Sequence, residues 1–128
     1  MQKLQIEASQ YTPQIRMDAE NGMIEIVGKS YPENTFEFYN PVLEWLEEYF
    51  QDPQEKTTVN MEIIYFNSSS SKLFFDFFDI LEEYQSKSQI IINWIYDGEN
   101  ESAQEAGEEF QEDFESLTIR LQEKADTE

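Results

Sequence analysis

The residues best suited to chemistry form one unbroken run, Asn67-Ser68-Ser69-Ser70-Ser71-Lys72. Four consecutive hydroxyls follow a β-branched and aromatic segment, residues 57–66, and precede an apolar segment, residues 73–81. The first reads as an inner strand and the second as a helix ending near Tyr84. Ligands and modifications gather where a strand of an open α/β sheet hands over to a helix. The first helical turn has unpaired N–H groups and a partial positive charge, so a phosphate is tolerated there, with Lys72 close enough to help hold it. Serine is also a preferred helix cap. One cap accounts for one serine, not four. Two uses stay open on these grounds: a hydroxyl that is modified, or a strand-end site for a small anion or nucleotide.

Other chemistry is sharply limited. The 128 residues include no cysteine and no histidine. That removes disulfides, thiolate metal sites, Cys nucleophiles and every Ser-His arrangement. Residues 97–115 hold nine acids and no base, but lack the ligand spacing and glycine of an EF-hand loop. No pair of carboxylates stands out as an acid and base, so the chain reads as non-enzymatic, with no metal and no cofactor. Twenty-eight acids against eight bases give a formal charge of −20, which repels nucleic acid and anionic membranes. That acidity serves solubility or a basic protein partner, and an acidic scaffold subunit without a switch is a third reading. No apolar run suits a signal peptide or a membrane span, so a cytoplasmic location is expected.

These residues need a framework to position them, and the patterning supplies one. Leu4, Ile6 and Ala8 alternate with polar residues, and a second strand starts at Ile15 and Met17. Asn21-Gly22 then marks a hairpin into Met23-Ile24-Glu25-Ile26-Val27. Phe38, Val42, Leu43, Leu46, Tyr49 and Phe50 recur at helical spacing, with Pro41 expected at a kink or in the first turn. Ile90 to Tyr96 is almost continuously apolar, as in a strand covered on both faces. Ala103, Ala106, Phe110 and Phe114 give residues 97–115 a thin apolar stripe, and Leu117, Ile119 and Leu121 suggest a last strand. Thr12 and Ser30 read as turn residues. The expected fold is α/β: a mixed sheet with an N-terminal antiparallel hairpin, then alternating strands and about three flanking helices. Residues 1–122 form a single domain and 123–128 a frayed acidic tail.

Tyr65-Phe66-Asn67-Ser68-Ser69-Ser70-Ser71-Lys72 resembles the signature of the SiaC family of bacterial regulatory phosphoproteins. Further pieces occur in the same order: Thr12-Pro13, Gly28-Lys29-Ser30-Tyr31-Pro32-Glu33-Asn34, Phe38-Tyr39-Asn40-Pro41 with Trp45-Leu46, and Trp94-Ile95-Tyr96 with Gly107-Glu108-Glu109. The resemblance implies a fold like that of STAS domains and a role in partner switching. A dedicated Ser/Thr kinase phosphorylates a Thr or Ser after the motif Asn, a PP2C-type phosphatase removes the phosphate, and the unmodified form engages an effector, in some members a diguanylate cyclase. Carried over, the acceptor is Ser68, with Ser69 the fallback and Asn67, Ser70, Ser71 and Lys72 around the phosphate. Asp97-Gly98-Glu99-Asn100 is less acidic than the family's usual stretch at this place. The segment 73–81 holds more apolar side chains than one buried face uses. Phe74, Phe77, Phe78 and Leu81 suit the core, and Phe75 or Phe78 is expected beside Ser68 as a partner contact.

Overall fold

A computed structural model describes residues 1–124. Six strands form one sheet in sequence order: β1 (Leu4–Ile6), β2 (Gln14–Asp18), β3 (Met23–Ser30), β4 (Lys56–Phe66), β5 (Gln89–Tyr96) and β6 (Thr118–Glu123). The first three strands pair antiparallel and β3 to β6 pair parallel. Each parallel pair is joined by a helix: α1 (Thr35–Tyr49), α2 (Ser68–Tyr84) and α3 (Glu101–Asp113). The mixed α/β architecture is thus the expected one.

The hairpin forms where Asn21-Gly22 places it. Gly22 has φ +61°, and a Cβ there would collide with the Lys56 carbonyl. Only glycine fits both demands.

Every crossover steps to the next strand in one direction, and right-handed crossovers of that kind put all helices on one face. Burial follows suit. Ile15, Met17, Ile24, Ile26, Val59, Met61, Ile63, Ile90, Ile92 and Trp94 point into a single core with the helices' apolar stripes. The opposite face carries no helix. Ile91, Asn93 and Ile95 on it are only half-buried, so β5 is not covered on both faces as its composition suggests. Apolar side chains on an open sheet face produce the same continuous run as two-sided burial.

Three boundaries differ from expectation. Helix α1 begins at Thr35, capped by the Asn34 side chain, so Pro41 lies in its interior and not in its first turn. The serines belong to α2 itself and not to a loop before it. At the C-terminus, Glu123 closes β6 and the Lys124 N–H donates to the Tyr96 carbonyl at 2.6 Å, past the expected limit at 122. The rest of the expected tail, 125–128, lies outside the described residues. Among the described residues no helix is long and apolar enough to cross a membrane.

Candidate functional site

The serine run sits where β4 hands over to α2, and each serine has a different environment. Asn67 is the cap: its backbone is extended and its side-chain oxygen accepts from the Ser70 N–H at 2.8 Å. The Asn67 N–H donates to the Ser30 carbonyl at 3.1 Å, tying the start of α2 to the end of β3. With the cap supplied by asparagine, no serine is needed for that task. Ser68 and Ser69 occupy the first two helical positions and are exposed. No hydrogen bond holds either hydroxyl among the described residues. Ser71 is half-buried.

Ser70 is different, and its hydroxyl is no part of a phosphate environment. It is fully buried, with Oγ donating to the Ser30 carbonyl at 2.9 Å and lying 2.8 Å from Ser30 Oγ. Ser30 Oγ is in turn 2.5 Å from the Tyr39 hydroxyl. Burial, partly offset by the Ser30 hydrogen bond, raises the Tyr39 phenol above its ordinary range and keeps it neutral. This closed cluster links β3, α1 and the first turn of α2. Ser30 is therefore a buried network member and not a turn residue. Sequence reasoning missed this role for Ser30 and Tyr39. The available signal was that two short pieces of the family pattern, 28–34 and 38–41, each contain one of them.

The two kinds of serine should respond oppositely to alanine. Ser70→Ala is expected to lower stability by about 1–2 kcal/mol, because buried partners lose a hydrogen bond. Ser68→Ala should stay within about 0.5 kcal/mol of wild type, as exposed substitutions usually do. Urea denaturation of the two variants reads both values, and equal losses would show that the burial difference has no energetic weight.

Around Ser68, Lys72 is exposed one helical turn on, and residues four apart share a helix face. Phe75 continues that stripe at 38% exposure and rests on Phe110 and Phe114 with ring centroids 5.6 and 5.3 Å away. Phe78, the other expected contact, is 0% exposed. It packs beneath α3, 4.9 Å from Phe110, and belongs to the core. A step of three residues along α2 separates the exposed phenylalanine from the sealed one.

The arrangement can present a free hydroxyl, and a charged group added to it, without disturbing the packed side chains below. Among the described residues no three His, Cys, Asp or Glu side chains cluster as metal ligands.

Comparison with known proteins agrees with this geometry. The family model described as SiaC family regulatory phosphoprotein matches residues 6–124. An uncharacterised protein of Pseudomonas aeruginosa strain UCBPP-PA14 is 38% identical over 114 residues, covering 88% of this chain and 90% of that protein. The crystal structure of apo-SiaC from P. aeruginosa superposes with a TM-score of 0.88 at 36% identity, covering 95% of this chain and 99% of that one. SiaC in complex with the diguanylate cyclase SiaD, of which it is the activator, gives the same TM-score and identity over 94% and 99%.

Proposed function

The chain belongs to the SiaC family of regulatory phosphoproteins, and on that premise we propose that it is a cytoplasmic adaptor whose binding to an effector is switched by phosphorylation of Ser68. It acts by binding and not by catalysis. A Ser/Thr kinase adds the phosphate, a PP2C-type phosphatase removes it, and the unmodified form engages a diguanylate cyclase. The cyclase is the partner named for the P. aeruginosa relative at 36% identity.

One observation carries the choice of residue. Ser68 follows the capping Asn67 directly and is exposed, whereas Ser70 is sealed against Ser30 and Tyr39. A kinase needs the acceptor hydroxyl to reach its bound nucleotide, and Ser68 meets that need without unfolding. The neighbouring Ser69 meets it too, but stands one residue further from the motif asparagine.

Incubation with a Ser/Thr kinase of the partner-switching class and ATP, followed by peptide mass spectrometry, should place one phosphate on Ser68. Ser68→Ala should abolish it. Modification found only outside residues 68–71 would overturn the assignment.

A further inference from the structure

The fold spends several unusual features on exposing aromatic rings beside Ser68. The pairing of β3 with β4 is regular to Gly28 opposite Ile63, then skips a residue so that Lys29 faces Tyr65. Ile64 is the extra residue of this bulge. Bulges re-aim side chains and recur beside functional sites. Here Ile63, in the core, and Phe66, packed against it, flank two adjacent side chains turned outward, Ile64 at 50% and Tyr65 at 55% exposure.

A second device brings in Tyr11. The segment between β1 and β2 is drawn tight by the Ser9 N–H donating to the Thr12 carbonyl, and by their hydroxyls 2.5 Å apart. Pro13 then lies against Gly28, whose φ of +133° suits glycine and where a Cβ would stand 3.2 Å from Pro13 Cα. The Tyr31 N–H donates to the Tyr11 carbonyl at 2.9 Å. The result is a chain of edge-to-face rings, Tyr11 on Tyr31 at 5.2 Å and Tyr31 on Tyr65 at 5.3 Å. Tyr11 stays 50% exposed.

We infer that this ledge of Tyr11, Tyr31, Ile64 and Tyr65 is the centre of the effector interface and receives a basic segment presenting Arg or Lys. The inference rests on the adaptor reading above. Rigid tyrosines are favoured interface anchors because they bring large area at little entropic loss. Their exposed part is on the order of 300 Å², against about 800 Å² per partner in a standard interface. The ledge is thus a centre and needs surroundings, and Ser68 lies three residues from Tyr65. Charge selects the occupant. Glu7, Glu33, Asp97 and Glu99 are exposed at this end of the sheet, Lys29 and Lys72 make no ion pair among the described residues, Lys124 beside Ile64 is paired with Glu62 at 2.9 Å, and the chain as a whole carries −20. An Arg or Lys over tyrosine faces with carboxylates around it gains both cation–π and ionic attraction.

The test is calorimetric titration of the chain with a diguanylate cyclase from the same genome, at low and high salt. Wild type should bind, more weakly as salt rises. Tyr11→Ser and Tyr65→Ser should each weaken binding about tenfold or more, with unchanged circular dichroism and unchanged Ser68 phosphorylation. Wild-type affinity in both variants would overturn the inference and leave the adaptor reading standing. Salt-independent binding would overturn the basic occupant. Slower phosphorylation with unchanged cyclase affinity would assign the ledge to the kinase instead. Failure of unmodified wild type to bind would remove the adaptor reading and this inference together.

Discussion

A phosphoryl group on Ser68 is expected to weaken effector binding about a hundredfold or more while leaving the fold as stable as before. The two halves of this expectation have separate physical grounds. The group arrives at the first position of α2, beside free N–H groups, where a negative charge is worth roughly 0.3–1 kcal/mol and at most about 2. Lys72, four residues on, adds a few tenths. Against these stands repulsion from a chain of −20. That charge is spread over the surface and screened beyond about 8 Å at physiological salt, so the phosphate's extra −1.5 to −2 or so changes little. The sum is close to zero or slightly stabilising.

Binding is different, because an interface strips water from the phosphate. The effector's basic groups are already paired with the carboxylates around the tyrosine ledge, so a phosphate buried at Ser68 loses its water with no cation of its own, at a cost of several kcal/mol, and about 1.4 kcal/mol is a factor of ten. Stoichiometrically phosphorylated protein should therefore show an unchanged or slightly raised urea midpoint alongside a collapsed affinity. A parallel loss of stability would mean that the switch works by opening α2, against the geometry of an exposed acceptor over an intact Ser30–Tyr39–Ser70 cluster. Ser68→Asp should reproduce only part of the effect, since it carries one charge and no tetrahedral group.

Much of this site could be read without coordinates, and the misreadings have specific causes. Val59, Met61 and Ile63 alternate so regularly that the strand and its inner face follow directly. The same alternation hides the bulge at Ile64: continued, it puts Tyr65 on the inner face with Ile63, whereas the extra residue turns Tyr65 outward. Serine's weak helix propensity disguises the first turn of α2 as a loop. Asn67 meets the capping need that a serine would otherwise fill. Helical spacing puts Phe78 on the 74/77/78/81 core stripe and Phe75 off it, but how far Phe75 is covered depends on where α3 docks. Long-range packing decides that, and no local pattern records it. The junction that carries Ser68 is legible for the opposite reason: strand, asparagine and serine are adjacent in the chain.

Gly107→Ala is expected to destabilise the protein by about 1–3 kcal/mol, although helix propensity alone says the reverse. Alanine in a helix interior outranks glycine by roughly 0.8–1 kcal/mol. At this position, however, the added Cβ would stand 2.5 Å from Leu121 Cδ2, 2.5 Å from Trp94 Cδ1 and 2.9 Å from Trp94 Nε1. Leu121 is half-buried and its methyl can swing aside. Trp94 cannot. It is 0% exposed, its indole N–H donates to the Ala103 carbonyl at 2.9 Å, and Phe110 and Phe66 stand at 5.3 and 6.4 Å. The helix must lift, which strains the packing and stretches the indole hydrogen bond, worth about 0.5–1.5 kcal/mol net. The opposing terms favour destabilisation, and urea unfolding reads the sign directly. The consequence reaches the switch, since Phe75 rests on Phe110 of α3 and Phe114 just beyond it. Raising α3 removes the support under an exposed ring in the same stripe as Ser68. Effector affinity should fall with stability in Gly107→Ala, whereas phosphorylation of Ser68, at the start of α2 where Asn67 caps the Ser70 N–H, should persist. A stabilised Gly107→Ala variant would mean that α3 does not seat on Trp94, and the expectation of Phe75 as a supported partner contact would fall with it.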